Sequence, residues 1–261
     1  MNIPNTEEAF NNKFKERLKT KEIQIGLWSS LASNIVTEIL SYAGFDWLLI
    51  DTEHAPNDIT TLVSQLQAMK GSGTTPLVRP VWNDPIELKR LLDIGFHNFI
   101  VPFVQNAQEA QKAVSAVRYP PRGIRGVSVG ARGSCYGYTE NYWHKIDDYI
   151  GLVVQIETLE AVNNIETIFE VDGIDGIFIG PSDLSASMGH LANSGHPDVQ
   201  KKFQEIVAVC RKIDAPVGIL AGNNTDARKF IDMGFNFVGV GADTGLLKKA
   251  SRELAQSFKT K

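Results

Sequence analysis

The chain has 261 residues, of which 43% are hydrophobic and 21% are charged, and its formal net charge is −4. This length fits one large domain covering residues 1–261, because α/β barrels of about 250 residues are routinely undivided. The small charge and the lack of basic clusters argue against nucleic acid or a membrane surface as a partner. The longest apolar runs are far shorter than the roughly 18 residues that a membrane span needs.

The N-terminal segment mixes Lys, Arg, Glu and Asn without an apolar stretch, which is not the pattern of a secretory signal. The two cysteines, Cys135 and Cys210, are too few to form a disulfide framework. These features predict a cytoplasmic protein in a reducing compartment.

Eight short apolar runs, rich in Val and Ile, are spread along the chain. Their nearly continuous hydrophobicity is typical of parallel strands that are buried on both faces. The predicted strands span residues 24–28, 47–50, 77–78, 98–102, 152–156, 176–179, 217–220 and 237–240.

Amphipathic stretches between most of these runs predict helices. Asn57 or Asp58 can cap the first of them, and Gly71 stops it. Asp84 followed by Pro85 is an N-cap with proline at the first helical position. The predicted helices span residues 58–70, 85–95, 106–117, 158–169, 197–213, 225–233 and 243–258.

A short repeat marks three helix-to-strand junctions, at Gly44-Phe45, Gly95-Phe96 and Gly234-Phe235. Glycine adopts the left-handed conformation that ends a helix, so each junction indicates one repeated unit. Eight strands joined by right-handed crossovers predict an α/β fold, the (β/α)8 TIM barrel. A doubly wound open sheet is the main alternative, but Ser29 to Ser33 is not a glycine-rich phosphate loop.

Polar side chains follow four of the predicted strands. The C-terminal ends of barrel strands form the active site in TIM-barrel enzymes, so these side chains should meet there. The candidates are Asp51, His54, Arg79, Gln155, Glu157 and Asp183.

Glu157 and Asp183 are the candidate metal ligands. Two carboxylates without a Cys or His ligand suit a hard divalent cation such as Mg²⁺ or Mn²⁺, whereas Zn²⁺ would favour His or Cys. The alternative is that each carboxylate caps the helix that follows it.

Arg79 and His54 could take part in acid–base and charge chemistry. A buried guanidinium needs an anionic partner, which could be a substrate carboxylate, a transition-state oxyanion, or simply Asp51 or Glu53. His54 is the best general base, and Asp51 lies three residues before it. The turn at residues 180–183 offers backbone N–H groups to an anionic carboxylate.

Other chemistries have little support. No lysine ends a predicted strand, which argues against a Schiff base, and no G-x-S-x-G elbow is present. His97, His144, His190 and His196 lack a metal-ligand spacing and are interpreted as structural or peripheral.

Five blocks of this sequence carry a family resemblance, at residues 44–57, 118–127, 154–157, 173–184 and 216–220. With them the chain resembles the class II, metal-dependent pyruvate aldolases of the 2-dehydro-3-deoxyglucarate and 4-hydroxy-2-oxoheptanedioate aldolase family. The resemblance implies a barrel of the phosphoenolpyruvate/pyruvate-binding type. It also implies a homo-oligomer, often a hexamer with exchanged C-terminal helices.

The resemblance implies that Glu157 and Asp183 bind Mg²⁺, with Mn²⁺ or Co²⁺ as alternatives. Pyruvate would chelate this ion, and Gln155 with the Ser182 and Asp183 backbone would hold the substrate.

The same resemblance implies that Arg79 stabilises the transition state and that His54 is the base, made more basic by Asp51 and Asp93. Thr52 is a departure, because the family commonly has glycine there, and its side chain could narrow the mouth or shift His54.

The predicted reaction is cleavage of 2-dehydro-3-deoxyglucarate to pyruvate and tartronate semialdehyde. One alternative is 4-hydroxy-2-oxoheptanedioate, which yields succinate semialdehyde, and another is a barrel that binds oxo acids without turnover. A third is an enzyme for a CoA thioester, with nucleotide phosphates held by the arginines of residues 118–150. These are Arg118, Arg122, Arg125 and Arg132, for which ion pairs at a subunit interface are the alternative.

Overall fold

Eight parallel strands form a closed barrel in the computed structural model, which describes residues 7–259. Each strand pairs with its sequence neighbours, and β8 pairs with β1 to close the ring. The predicted TIM barrel is therefore confirmed. The strands are β1 Gln24–Ser29, β2 Trp47–Asp51, β3 Thr75–Arg79, β4 Asn98–Val101, β5 Gly151–Ile156, β6 Gly176–Ile179, β7 Val217–Leu220 and β8 Phe237–Ala242.

Helices surround the barrel and connect its strands. They are α1 Lys13–Thr20, α2 Asn34–Ser41, α3 Ile59–Ala68, α4 Pro85–Ile94, α5 Ala107–Val117, α6 Tyr142–Lys145, α7 Leu159–Asn163, α8 Ile165–Phe169, α9 Pro181–Ser187, α10 Pro197–Lys212, α11 Asn224–Met233 and α12 Asp243–Ser257. Across residues 7–259, no helix is both long enough and apolar enough to cross a bilayer.

The predicted glycine junctions have the expected geometry. Gly44, Gly95 and Gly234 have φ values of +91°, +105° and +114°, in the left-handed region that glycine adopts without strain. Gly95 and Gly234 are the C-caps of α4 and α11. Each of these turns therefore delivers the chain from a helix into the next strand.

The bottom of the barrel is closed by α1, a helix that the sequence pattern did not predict. Its side chains Phe14 and Leu18 are fully buried and join the core inside the barrel. The Phe14 ring packs edge-on against Trp47, with 6.4 Å between ring centroids, and against Phe237 at 5.7 Å. The N-terminal helix is thus part of the fold.

We expect Phe14→Ala to destabilise the protein by about 3–5 kcal/mol, because it leaves a cavity between aromatic rings that cannot collapse freely. Denaturant unfolding would measure the loss. Tyr42→Ala is the matched control, because that aromatic side chain is 75% exposed. Equal unfolding free energies for the two variants would contradict a structural role for α1.

Candidate active site

Strand register brings most of the predicted site residues to one end of the barrel. Asp51 at the end of β2 pairs in register with Arg79 at the end of β3. Glu157 follows β5 directly, and Asp183 lies in the first turn of α9, just after β6. Because all the strands are parallel, their C-terminal ends share this face of the barrel.

Arg79 is held in a buried ion pair. Its Nε and Nη2 donate to the two carboxylate oxygens of Asp51 at 2.9 and 2.7 Å, and Nη1 lies 3.0 Å from Glu53 Oε2. The guanidinium also lies 5.5 Å from the centre of the Trp28 ring. Burial alone would lower the pKa of Arg79, but the hydrogen bonds and charges of these carboxylates raise it.

The pairing that the sequence left open as an alternative for Arg79 is therefore present. The guanidinium keeps further donors, because it has five N–H groups and only two of them donate hydrogen bonds to Asp51. The Nη1 contact with Glu53 is an ion pair, since Glu53 Oε2 has no hydrogen-bond partner among the described residues.

Glu53 was considered from the sequence only as an alternative partner of Arg79, and it lies within the site. Its side chain is only 10% exposed. Burial raises the pKa of Glu53; Arg79 opposes this shift, while the charges of Asp51 and Asp183 add to it. The residue therefore adds negative charge to the mouth of the barrel.

Glu157 is the most perturbed of the site carboxylates whose pKa is shifted. Oε1 accepts a short hydrogen bond from Gln155 Nε2, and Oε2 accepts one from the Phe103 backbone N–H at 3.0 Å. Burial raises the pKa of Glu157 to about 7 despite these bonds, and the charges of Asp183 and Glu53 contribute to the rise. Three acidic side chains thus repel one another in a largely buried space.

This arrangement fits a bound divalent cation. A hard ion would neutralise the repulsion among the carboxylates, which are the ligands that Mg²⁺ prefers. Gln155 Oε1 is buried and has no hydrogen-bond partner among the described residues, so it offers a further oxygen. Gly180 leaves room at the same place, because a Cβ built there would overlap the Glu157 carboxylate.

Gly180→Ala should therefore displace the Glu157 carboxylate and weaken divalent-ion binding by about 10-fold or more. The backbone is not the cause, since φ at Gly180 is −84°. Titration of the variant with Mn²⁺, after a chelator has removed bound metal, would measure its affinity for the ion. Gly222→Ala is the control, because a Cβ there meets no atom within 4 Å. Unchanged affinity in Gly180→Ala would contradict the placement of the ion.

His54 lies at the rim of the mouth, with 68% of its side chain exposed. Its Nε2 is 4.0 Å from Glu53 Oε2, while the Asp51 carboxylate accepts hydrogen bonds from Arg79 and from the Glu53 backbone at 3.1 Å. The acidic neighbour of the imidazole is therefore Glu53, and Asp51 is linked to His54 through the intervening segment.

Asp93 lies at the other end of the barrel from His54 within one chain. It occupies the last turn of α4, which begins near the mouth and rises about 15 Å over its length before β4. Its Oδ1 is 3.5 Å from Nη2 of Arg125, a side chain that is almost fully buried. The described contacts thus place Asp93 against Arg125.

Ser182 and Asp183 start α9, where the sequence predicted a tight turn. Gly180 is the N-cap and Pro181 is the first helical residue. The N–H groups of Ser182 and Asp183 lie in the first turn, where a helix has no internal acceptors for them. The predicted donors are therefore present, supplied by a helix terminus.

Thr52 ties two strand ends together. Its hydroxyl donates to the Arg79 carbonyl at 2.6 Å, and its side chain is nearly buried. Thr52 thus braces the Arg79 backbone directly.

The four arginines considered for a nucleotide are all engaged within the chain. Arg118 pairs with Asp172 at 3.1 Å, and Arg122 with Asp148 at 3.0 Å. Arg132 donates to the Ile94 carbonyl at 2.6 Å. The contacts of these three arginines give no support to a phosphate pocket. Arg125 lies 3.5 Å from Asp93, and its buried Nε and Nη1 have no hydrogen-bond partner among the described residues.

His97, at the start of β4, lies beside this arginine cluster. Burial and the charges of Arg125 and Arg132 lower the pKa of His97 to about 3. Its ordinary value in an unfolded chain is about 6.5, so between these limits the unfolded state binds more protons. Stability is therefore lost as the pH falls from about 6.5 towards 3.

His97→Gln should lose less stability than the wild type over this acidic range, because the variant has no imidazole to protonate on unfolding. Melting temperatures at neutral and at acidic pH would test this. The exposed His144→Gln is the control. Parallel pH profiles for wild type and His97→Gln would rule out the linkage.

Comparisons with known proteins agree with this architecture. The model of the HpcH/HpaI aldolase/citrate lyase family matches residues 24–250. A 5-keto-4-deoxy-D-glucarate aldolase of Enterobacter sp. (strain 638) is 52% identical over 252 residues, covering 97% of this chain and 98% of the relative. One from Klebsiella pneumoniae is 50% identical over 250 residues, covering 96% and 98%.

A crystal structure of an HpcH/HpaI aldolase/citrate lyase family protein from Burkholderia cenocepacia J2315 superposes with a TM-score of 0.93. It is 35% identical and covers 96% of this chain and 100% of that one. The predicted family and the predicted enzyme class, a carbon–carbon lyase of the aldolase type, are both confirmed. The chain belongs to the HpcH/HpaI aldolase/citrate lyase family.

Proposed function

We propose that the protein cleaves a 4-hydroxy-2-oxo diacid, a keto-deoxy-glucarate, to pyruvate and tartronate semialdehyde with the help of Mg²⁺. The observation that carries this proposal is the buried group of carboxylates around Glu157, next to the Arg79 ion pair. The proposal is supported by the position of this group at the C-terminal ends of the strands, where TIM-barrel enzymes have their active sites. It is also supported by the relatives at about half identity, which are named for this substrate class.

Glu157 and Asp183 would hold the ion, with Mn²⁺ or Co²⁺ as alternatives. When bound, the ion would act as a Lewis acid that polarises the 2-keto group. The Gln155 amide and the first-turn N–H groups of Ser182 and Asp183 would bind the substrate carboxylate.

His54 would take the proton of the 4-hydroxyl group. The C3–C4 bond then breaks, C4 becomes the aldehyde carbon, and the electron pair moves to C3 to form the pyruvate enolate. Arg79 would direct its remaining N–H donors to this negative charge, and such donors stabilise transition states strongly. Proton return to C3 yields pyruvate.

The exposed surface of α12 supports a proposal about the oligomeric state. Apolar residues of α12 are exposed in one chain, including Leu247 at 59% and Leu254 at 65%. We propose that they pack against other copies in a homohexamer, as the family resemblance implies. Asp93 could then serve His54 only from a partner subunit, because it lies at the far end of its own barrel. The free cysteines fit a cytoplasmic location.

The test is a comparison of kcat/KM for 2-dehydro-3-deoxyglucarate and 4-hydroxy-2-oxoheptanedioate with Mg²⁺ present. We expect the keto-deoxy-glucarate to be preferred by about 10-fold or more, which corresponds to 1.4 kcal/mol in the transition state. A higher kcat/KM for 4-hydroxy-2-oxoheptanedioate would show that this compound, and not the keto-deoxy-glucarate, is the preferred substrate. If either oxo acid raises the melting temperature but no product forms, the protein is a barrel that binds oxo acids without turnover.

A further inference from the structure

A second cluster of ligand-type side chains lies away from the carboxylates of the mouth, on the segment that joins α9 to α10. His190, His196 and Asp198 place one nitrogen or oxygen each within 4.8 Å of one another. Among the residues that the structure describes, no other group of three His, Cys, Asp or Glu side chains converges in this way.

The distances are those of a metal site. His190 Nε2 and His196 Nδ1 both lie 3.6 Å from the same oxygen, Oδ2 of Asp198. Two ligand atoms that share a tetrahedral ion at about 2.1 Å are about 3.4 Å apart. A modest contraction of the cluster would therefore bring all three atoms to coordination distance.

One hydrogen bond sets a condition on this site. His196 Nδ1 accepts a hydrogen bond from the Asp198 backbone N–H at 3.2 Å, which caps α10. An ion at this nitrogen would use the same lone pair, so ligation through Nδ1 must displace the cap.

We propose that His190, His196 and Asp198 bind a divalent transition-metal ion such as Zn²⁺, with water in the fourth position. Two imidazole nitrogens and one carboxylate suit zinc and its neighbours, whereas the all-oxygen group around Glu157 suits Mg²⁺. The two sites therefore select different metals.

Binding requires the imidazoles to turn. The two rings are stacked, with 3.6 Å between centroids and 16° between planes, and a ligand imidazole must have the ion close to its plane. The side chains of His190 and His196 are 25% and 33% exposed, so they can rotate, but rotation breaks the stacking contact between the rings. Because this contact is lost on binding, the affinity for the ion should be lower than that of a closed structural zinc site.

The sequence gives little warning of this cluster, because spacings of six and two residues are not a familiar ligand motif. Positive φ values at Gly189 and Ala192, +82° and +57°, turn the segment back on itself and bring His190 beside His196. The ion would link the end of α9 to the start of α10. Since Ser182 and Asp183 lie in the first turn of α9, the ion would also steady the helix that borders the mouth.

The test uses the Glu157→Gln/Asp183→Asn double variant, which lacks the carboxylates proposed for Mg²⁺. After chelation and removal of the chelator, calorimetry with Zn²⁺ should find one bound equivalent, and Co²⁺ should develop the intense visible band of four-coordinate cobalt. Adding His190→Ala should weaken binding by about 100-fold or more and remove the band. His190 is chosen because, unlike His196, its side chain does not cap α10.

His144→Ala is the matched control, because His144 is an exposed histidine outside the cluster. This variant should leave Zn²⁺ binding unchanged. If the double variant does not fold, the same titration in the wild type should fall from two equivalents to one with His190→Ala. No binding in a folded double variant, or binding that His190→Ala leaves unchanged, would overturn the proposal. Neither outcome depends on aldolase activity.

Discussion

Arg79→Lys is expected to lower kcat by about 10²- to 10³-fold, the loss typical of removing one preorganised transition-state donor. Lysine keeps the charge but loses the planar fork that binds Asp51 at two points and leaves further N–H groups for the substrate. Steady-state pyruvate release under saturating Mg²⁺ would measure the effect, and metal affinity should be retained.

Lysine is a better test than alanine, because Arg79→Ala leaves two buried carboxylates without their counter-ion. Breaking a buried pair in this way costs about 3–5 kcal/mol of stability, which would confuse the kinetic result. Arg122→Lys is the matched control, since its guanidinium is 48% exposed and pairs with Asp148 at the surface. Wild-type kcat in a folded Arg79→Lys variant would remove Arg79 from the mechanism.

Glu157→Gln is expected to lower kcat/KM by about 10²-fold or more, which corresponds to about 2.7 kcal/mol of transition-state stabilisation. The change keeps the shape of the side chain but removes the charge that would bind the divalent ion. Glutamine also has only one acceptor oxygen, so the hydrogen bonds from Gln155 and Phe103 cannot both be kept.

A chelator would first remove bound metal from the Glu157→Gln variant. Titration with Mn²⁺, with activity measured in parallel, would then separate an effect on ion affinity from an effect on kcat. Glu160→Gln is the control, because Glu160 lies three residues further on with its side chain exposed. The account requires the Glu157 variant to lose both affinity and activity. Tight ion binding with normal turnover would show that the ligands lie elsewhere.

The barrel was predictable because each strand is a short, continuous apolar run, and the structure places all eight within a few residues of the predicted positions. Residues 158–169 form two short helices, α7 and α8, which meet at Asn164 where the sequence predicted one. The helices α1, α2, α6 and α9 were missed. Only Phe14 and Leu18 mark the buried face of α1, which is too short a pattern to separate from a loop.

The candidate site was predictable in outline, since polar residues after buried strands must collect at one end of a parallel barrel. The contacts between side chains within the site were harder to predict from the sequence. Which carboxylate faces Arg79 depends on the Asp51–Arg79 register, and which one faces His54 depends on the local turn after β2. Glu53 was predicted only as an alternative partner of Arg79, because a charged residue beyond a strand end is usually exposed to solvent.

The backbone hydrogen bond to Glu157 was also not predictable from the sequence. The Phe103 N–H reaches Glu157 because Phe103 itself has a φ of +53°, which is uncommon for an aromatic residue. Its ring stacks on Trp82 at 5.6 Å, which fixes this turn. A long-range contact of this kind leaves no local pattern in the sequence.

The central claim is metal-assisted aldol cleavage at the mouth of the barrel. Its most direct test is pyruvate release from 2-dehydro-3-deoxyglucarate by the wild-type protein, measured with Mg²⁺ and again with excess chelator. The account predicts turnover with Mg²⁺, loss of turnover with chelator, and recovery when Mg²⁺ is restored. Cleavage that continues unchanged in the chelator, or no cleavage by a folded protein with Mg²⁺ bound, would contradict it.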